Sequence, residues 1–239
     1  MLVQVQSSQE IPLSYYPMIK KPAQNILTGS DGNKTIENDW YHGNLPKNII
    51  LDDFSYPDTA YSFSKYHSEK STGFTLGYGS GNYGHSNFIG GRNGKINIGK
   101  FVVLQGMNII CNLSVIIKDH CMFSWGSLIT DSWLLTEIIS IEQRKKILAQ
   151  ASESSSRNVD FMNPQPVVVE ENVWVGFKAL ILPGVTLGRG CVIGSNSVIT
   201  KNIPPYAVVA GNPSKILRYL DPTDTDELKK SMLKKFLIS

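Results

Sequence analysis

The sequence predicts an all-β solenoid in which short parallel strands stack into successive coils. The main observation is a bulky aliphatic residue at every sixth position of the stretch VGFKALILPGVTLGRGCVIGSNSVIT (175–200). These positions are Val175, Ile181, Leu187, Ile193 and Ile199. A spacing of six fits neither the period of a helix nor that of a single strand. A fixed period indicates stacked units, and three sixes would make one coil of about eighteen residues.

Two other positions of the repeat indicate how each six-residue unit turns a corner of the coil. Counted from Val169, the fifth position is mostly small: Val173, Ala179, Val185, Cys191, Ser197 and Ile203. The second position is glycine at 176, 188 and 194. A small residue fits near the corner of a narrow prism, and glycine adopts the backbone angles of turns. We therefore expect each six-residue unit to form a short strand and a turn, with its aliphatic residue pointing into a common column.

A less regular copy of the repeat comes earlier in the chain. Large apolar residues recur at Ile98, Leu104, Ile110, Ile117, Phe123 and Ile129, with a one-residue slip after residue 115. The glycine-rich stretch LGYGSGNYGHSNF (76–88) is interpreted as a degenerate first coil. A sandwich of short strands is the alternative. The constant spacing over two uninterrupted coils argues against it.

The repeat also predicts the domain organisation. The solenoid is expected over residues 74–218, after an irregular N-terminal capping segment (1–73) that covers the open coil end. An insertion loop interrupts the six-residue repeat over 131–166. Within it, Ser140 and Gln143 match a helix capping box. Residues 219–239 are predicted to form an amphipathic C-terminal α-helix that packs on the last coil.

Composition excludes several classes of function. With 239 residues and 18% charged residues, the chain is an ordinary soluble domain. A net charge of +3 without a dense Lys/Arg run gives no indication of nucleic-acid binding. No apolar run reaches the roughly 18 residues of a membrane span, and no signal peptide is indicated. Three cysteines without a CxxC motif suit a reducing cytoplasm, and Cys111, Cys121 and Cys191 are predicted to be core residues.

The hexapeptides resemble those of the left-handed parallel β-helix acyltransferases. The segment VITKNIPPYAVVAGNPSKILR (198–218) is similar to the end of the xenobiotic, maltose and sugar O- or N-acetyltransferase branch. The resemblance covers roughly residues 96–218. It implies a left-handed coil, a homotrimer, acetyl-coenzyme A as the acyl donor, and a sugar or amino-sugar acceptor. In that family, the loop of the insertion reaches a neighbouring subunit and closes the active site.

The resemblance also implies where coenzyme A binds. The residues expected to contact it are Gly176, Ala179, Lys201, Asn212, Pro213, Lys215 and Arg218. The Asn-Pro pair shapes the loop that holds the cofactor, and the Gly and Ala supply backbone contacts to pantetheine. The three cations are expected to bind its phosphates, because Lys and Arg pair with phosphate oxygens. The alternative makes them solvated surface charges.

The catalytic base is where the sequence departs from the resembled family. Many relatives carry a histidine just after the coil that here reads FSWGSLITDSWLL, and this chain has none there. Asp131 matches an acidic residue common at that point and is a candidate base or amine anchor. His85, in the glycine-rich YGHSNF, is the second candidate. His120 is less favoured, and the other two histidines have no motif support.

The missing histidine favours N-transfer over O-transfer. A neutral amine attacks a thioester when it is held in position, whereas a hydroxyl normally requires a base. Trp125 and Trp133 are candidate platforms for a sugar ring, with ordinary packing as the alternative. Two other functions stay open. A zinc enzyme on this scaffold needs three clustered ligands, which the histidine spacing does not offer, so no metal is expected. A non-catalytic relative would keep the trimer and the groove.

Overall fold

The chain folds into a three-faced solenoid with a short N-terminal hairpin. The computed structural model describes residues 26–133, 140–153 and 163–221. Strands β1 (Ile26–Thr28) and β2 (Lys34–Ile36) form the antiparallel hairpin. Every other strand pairing is parallel except the last, between β20 and β21. The fold is the left-handed parallel β-helix that the family resemblance implies.

The strands of the solenoid lie on three faces, numbered in the order in which the chain visits them. Face 1 consists of β3 (Ile49–Leu51), β5 (Phe74–Leu76), β8 (Lys95–Ile98), β11 (Ser114–Ile117), β14 (Val167–Val169) and β17 (Thr186–Leu187). Face 2 consists of β4 (Tyr56–Pro57), β6 (Gly81–Tyr83), β9 (Val103–Gln105), β12 (Met122–Phe123), β15 (Trp174–Val175), β18 (Val192–Ile193), β20 (Ala207–Ala210) and β21 (Lys215–Tyr219). Face 3 consists of β7 (Asn87–Gly90), β10 (Asn108–Cys111), β13 (Leu128–Thr130), β16 (Leu180–Ile181) and β19 (Val198–Ile199).

The aliphatic column predicted from the sixfold spacing forms the core. The residues at its first position are fully buried: Val169, Val175, Ile181, Leu187, Ile193 and Ile199. Each stacks on its equivalent in the next coil, as Val175 does on Ile193. Burying one such side chain contributes about 1.5–3 kcal/mol, so this column is a major source of stability.

One position of the earlier repeat was assigned wrongly. Ile110 is only half-buried, and Ile109 lies inward and pairs with Ile129 of the next coil. The inward position therefore comes five residues after Leu104 instead of six. The turn before β11 takes up the additional length, and this longer turn needs support from elsewhere in the chain.

The coils at the N-terminal end are filled by aromatic rings. Phe74 and Phe88 are fully buried with ring centroids 4.7 Å apart, and Phe63 packs on Phe74 at 5.0 Å. Phe63 belongs to a 3₁₀ turn, Ala60–Phe63, that lies across this end of the prism. Strands β3 and β4, within the segment expected to be an irregular cap, pair in parallel with β5 and β6.

The three cysteines are core residues, as predicted. Cys111, Cys121 and Cys191 are buried and form no disulfide. Burial raises the thiol pKa of Cys121 and Cys191 to about 12. Burial, followed by the negative charge of Asp131, also raises the pKa of Cys111 well above its usual range. All three therefore stay protonated near neutral pH and are not nucleophiles.

The insertion contains the helix that the capping box predicts. Helix α1 (Ile141–Glu153) begins after Ser140. The amide N–H of Ser140 donates to Gln143 Oε1 at 2.7 Å, and the amide N–H of Gln143 donates to Ser140 Oγ at 3.2 Å. The capping box is thus confirmed. Ile141 and Leu148 are exposed on this helix, so it presents apolar surface to solvent.

The C-terminal end of the solenoid is covered by a strand. Strand β21 runs antiparallel to β20 and occupies the edge of face 2. An uncovered edge would expose unpaired backbone groups. The predicted C-terminal helix lies outside the described residues beyond Asp221. Within the described ranges, no helix has the length and apolarity that a membrane span requires.

Candidate functional site

The turns that join face 2 to face 3 stack into one edge, which we call the 2–3 corner. Backbone hydrogen bonds link its levels: Gly126 N–H to Gly106 O at 2.8 Å, Lys178 N–H to Trp125 O at 3.0 Å, and Asn196 N–H to Phe177 O at 2.8 Å. Several predicted site residues lie along this edge: His85, Trp125, Gly176 and Asn212. Residues separated by more than 120 positions in the sequence thus share one surface.

His85 lies at the N-terminal end of the 2–3 corner. Its imidazole is 62% exposed, and Nδ1 is 3.8 Å from Asp58 Oδ2. The amide N–H of His85 donates to the same oxygen at 3.2 Å, so Asp58 holds both the backbone and the ring. The carboxylate therefore lies within ion-pair distance of Nδ1, while most of the ring stays open to solvent. This arrangement suits a residue that accepts a proton from a bound molecule.

Asp131 has a different environment from His85. It is fully buried at the end of β13. Its carboxylate accepts hydrogen bonds from the amide groups of Asn112, Leu113 and Ser114 at 2.7–3.0 Å, and from the Ser132 hydroxyl. The three amide donors belong to the lengthened turn and to the first residue of β11. The carboxylate supports that turn, and acting on a substrate would require it to give up these bonds.

Trp125 lies on the 2–3 corner, half exposed, with its ring stacked on Phe177. The ring centroids are 5.5 Å apart and the planes differ by 19°. The indole packs over Gly106 of the preceding coil, because a Cβ at that glycine would lie 2.7 Å from Trp125 Cδ1. Trp133 lies on the turn that leaves face 3. The two tryptophans therefore lie at different corners, and their contact with a sugar stays a prediction.

The residues expected to meet pantetheine are built into the coil stack. A Cβ at Gly176 would lie 2.8 Å from the amide nitrogen of Ser195, so glycine is what lets the next coil approach. Ala179 is fully buried with its methyl group in the core. Its carbonyl accepts the Leu128 N–H at 2.9 Å. Any contact with a cofactor at this level therefore comes from the neighbouring corner residues, Phe177 and Lys178.

The Ala210–Pro213 loop caps the 2–3 corner at its C-terminal end. Gly211 N–H donates to Ser197 Oγ at 3.1 Å, and Gly211 O accepts the Val198 N–H at 3.1 Å. Asn212 and Pro213 are exposed above this anchor, and the peptide between them is cis. The loop is thus held on the last coil while its polar groups face solvent.

The three predicted phosphate-binding cations do not lie at one point. Lys215 pairs with Ala210 beside the loop, and Arg218 pairs with Val208 further along β21. Lys201 lies in the turn that leaves face 3, at the far end of β19. All three are exposed, and none forms an ion pair within the described part of the chain. Lys215 is therefore available to an anion at the 2–3 corner, while Arg218 lies on face 2 further from that corner.

Sequence reasoning missed Asp58 and Phe177. Asp58 follows strand β4, one coil below His85, and its amide N–H bonds to Asn82 O at 3.1 Å. Only the stacking of coils brings it to the histidine, so no local motif marks it. Among the described residues, no group of three or more His, Cys, Asp or Glu side chains is placed to hold a metal ion.

The chain is similar to known proteins in its hexapeptide region. Residues 166–201 match the family described as "Bacterial transferase hexapeptide (six repeats)". A Staphylococcus aureus (strain COL) protein named "Putative acetyltransferase" is 44% identical over 72 residues, 29% of this chain and 36% of its own length. A chloramphenicol acetyltransferase of Agrobacterium fabrum (strain C58) is 49% identical over 51 residues, 21% of this chain and 24% of its own length. The chain thus spans about a third or less of these curated relatives.

A solved structure extends the likeness in fold. A mutant of AntD, an N-acyltransferase from Bacillus cereus in complex with dTDP and coenzyme A, has a TM-score of 0.53. The match covers 76% of this chain and 92% of that one, at 13% identity. Identity this low shows a common fold and nothing finer. The match to the family model lies in the C-terminal coils, over residues 166–201.

Proposed function

We propose that this chain, which matches the hexapeptide repeat of bacterial transferases over residues 166–201, transfers an acetyl group from acetyl-coenzyme A to a sugar or amino-sugar acceptor. The observation that carries the proposal is the composition of the 2–3 corner. One end has an anchored loop with the exposed Lys215 beside it, and the other has an exposed imidazole 3.8 Å from a carboxylate. Acyl transfer needs both a donor site and a proton acceptor.

The donor is proposed to lie along the 2–3 corner. Its phosphates would lie by Lys215 and Arg218, because an unpaired cation binds phosphate oxygens with charge-assisted hydrogen bonds. The corner from Gly211 to His85 spans several coils at about 4.8 Å each, so the pantetheine arm would run along it. The exposed faces of Trp125 and Phe177 supply apolar surface for that arm.

The reaction needs few groups from the protein. The acceptor nitrogen or oxygen attacks the thioester carbonyl, the carbon–sulfur bond breaks, and coenzyme A leaves as the thiol. Nε2 of His85 accepts the proton that the acceptor loses, and that proton can pass to the departing sulfur. We favour N-transfer, because a neutral amine attacks without prior deprotonation, while a hydroxyl depends on the base.

We propose that the active form is a homotrimer. The family resemblance suggests it, and the exposed apolar side chains of helix α1 and of the outer surface of face 2 would be covered by neighbouring copies. Light scattering after size-exclusion chromatography is expected to give three times the 26.5 kDa of one chain. A mass of one chain at micromolar concentration contradicts the proposal.

Acetyl-coenzyme A binding provides the direct test of the donor site. Replacing Lys215 or Arg218 by methionine is expected to weaken binding about 10-fold or more in isothermal titration, because each removes a charge-assisted hydrogen bond of about 1.5–3 kcal/mol. Lys100→Met, an exposed lysine on another corner, is the matched control and should bind as the wild type. Lys201→Met in the same experiment tests whether the predicted third cation contributes. Equal affinity in all four variants would contradict the donor site.

The second candidate function is that of a non-catalytic relative. It is favoured by the absence of a histidine after β13 and by the Trp125–Phe177 stack, which fills part of the corner. Release of free thiol from acetyl-coenzyme A, measured against a panel of sugars and amino sugars, separates the two functions. Binding without turnover on any acceptor supports the non-catalytic candidate, and absence of binding removes both.

A further inference from the structure

A cleft beside His85 has the chemistry of a sugar site. It lies between the 3₁₀ turn Ala60–Phe63 with the two residues that follow it and the outer surface of face 3. Its volume is about 230 Å³, and its lining includes Tyr61, Ser62, Ser64, Lys65, Asn87 and Asn108. Five of these six side chains end in a hydroxyl or an amide and the sixth in an ammonium. Such a lining matches a small hydrophilic molecule.

The two asparagines of the cleft have hydrogen-bonding capacity to spare. Asn87 Nδ2 donates to His85 O at 3.1 Å and to Asn108 Oδ1 at 3.2 Å. Asn87 Oδ1 and Asn108 Nδ2 have no hydrogen-bond partner within residues 26–133, 140–153 and 163–221. The pair is therefore locked in orientation and offers one acceptor and one donor side by side. A sugar hydroxyl both donates and accepts, so neighbouring hydroxyls of a ring suit this pair.

Tyr61 provides an aromatic wall next to these amides. Its ring centroid is 5.4 Å from Trp40 and 5.4 Å from Tyr41, which keeps it in place. The ring remains 38% exposed. Aromatic faces of this kind pack against the apolar faces of bound rings and add little entropy cost, because they are already ordered.

Lys65 adds a requirement for negative charge. It is exposed at the cleft and forms no ion pair within the described ranges. A lone ammonium near a bound sugar ring favours a ligand that carries a phosphate or a carboxylate. Behind the cleft, the buried Ser62 Oγ accepts from Asn82 Nδ2 at 3.0 Å, which fixes this part of the wall.

The cleft adjoins the candidate base. Trp40 contacts both Tyr61 and His85, the latter with ring centroids 6.0 Å apart. Asn87 is two residues along the chain from His85 and bonded to its carbonyl. We propose that this cleft binds the acceptor, and that the acceptor is an anionic sugar bearing a phosphate or a carboxylate. The inference rests on the proposed function and specifies its substrate class.

Direct binding without acetyl-coenzyme A tests the cleft. Glucose 6-phosphate, glucosamine 6-phosphate, glucuronate, glucose and inorganic phosphate are titrated into the full chain by isothermal titration. At least one of the three anionic sugars is expected to bind 10-fold more tightly than both glucose and inorganic phosphate. The ratio of the affinities for the phosphorylated sugars and for glucuronate shows whether the site prefers a phosphate or a carboxylate. If no anionic sugar binds, or if phosphate alone binds as well, the inference is wrong.

Matched variants locate the binding. Lys65→Met is expected to reduce the affinity for the anionic sugar to that for glucose, and Asn108→Asp to reduce it at least 10-fold, because the amide donor becomes a carboxylate. Asn108→Asp retains the oxygen that Asn87 bonds to, so the fold is preserved. The controls are Lys100→Met and Asn97→Asp. Asn97 lies on face 1, where its side-chain oxygen accepts a hydrogen bond from Thr75 at 3.3 Å. Unchanged binding in both cleft variants overturns the inference.

Failure here is separable from failure of the proposed function. Suppose that acetyl-coenzyme A binds, that thiol is released, and that the acceptor binds equally well to the wild type and to the Lys65 and Asn108 variants. The activity then stands, and the acceptor site is elsewhere. If anionic sugars bind the cleft but acetyl-coenzyme A does not bind, the cleft stands and acyl transfer is wrong.

Discussion

Replacement of His85 by asparagine is expected to lower kcat with a hydroxyl acceptor by about 100- to 10,000-fold, the usual contribution of a general base. The reason is that His85 is the base in the proposed reaction, and asparagine cannot accept the proton in its place. Asparagine is the right replacement because residue 85 has φ +58, a region that Asn tolerates better than most side chains. The loss should therefore reflect chemistry and not backbone strain. The rate of thiol release at saturating acceptor gives kcat for the two proteins.

The matched control for this prediction is His120→Asn. His120 also has positive φ (+62), is exposed, and stacks on Phe101 at a different corner. Its replacement should leave kcat within about two-fold of wild type. Equal losses in the two variants, or no loss at His85, would remove His85 from the mechanism.

The acceptor atom determines how the His85→Asn defect depends on pH. With an amine acceptor the defect should shrink as pH rises toward the pKa of the amine, because the neutral amine attacks without a base. With a hydroxyl acceptor the defect should persist up to high pH. Asp58→Asn, which removes the charge beside Nδ1, should lower kcat less than His85→Asn does. A loss as large as that of His85→Asn would contradict a supporting role for Asp58.

Replacement of Asp131 by alanine is expected to destabilise the fold by about 3–5 kcal/mol. The change leaves three part-buried amide groups at the start of β11 without an acceptor. An unsatisfied donor costs about 1–3 kcal/mol when it is buried, and less where water reaches it. Urea unfolding followed by tryptophan fluorescence measures the free energy of unfolding. The midpoint should fall with little change in slope, because the fold is lost as one unit.

Asp119→Ala is the control for Asp131→Ala. Asp119 is also at a coil corner, but within the described residues its carboxylate accepts from one exposed amide, that of Lys100, at 2.8 Å. Its replacement should cost about 1 kcal/mol. Indistinguishable losses would show that Asp131 is not the support inferred from its four donors. Normal stability of Asp131→Asn together with loss of activity would instead restore Asp131 as a base.

The periodicity of the sequence predicted the coils because the core of a solenoid depends on nearest neighbours. Each aliphatic residue such as Val175 contacts its equivalents one coil above and below, so a local pattern specifies a long column. The assignment of Ile110 was wrong for the same reason. Where a turn gains or loses residues, the pattern no longer says which of two neighbouring aliphatics lies inward, and pairing with Ile129 decides it.

The candidate site was less accessible to sequence reasoning. His85 was identified, but Asp58 lies 27 residues earlier and meets it only across a coil boundary. Asp131 was assigned from its position after a coil, and a position says nothing about how many backbone donors surround a carboxylate. The cleft formed by Tyr61, Lys65 and Asn108 joins an N-terminal turn to face 3 and has no motif at all.

By itself, then, the sequence determined the three-sided coil, its buried aliphatic column, the capped helix of the insertion and the buried cysteines. These follow from short-range spacing and from the cost of exposing apolar side chains. Only the tertiary structure decided which polar side chains face each other along the 2–3 corner. Such contacts join residues one coil apart, and the distance along the chain between two coils changes with every irregular turn.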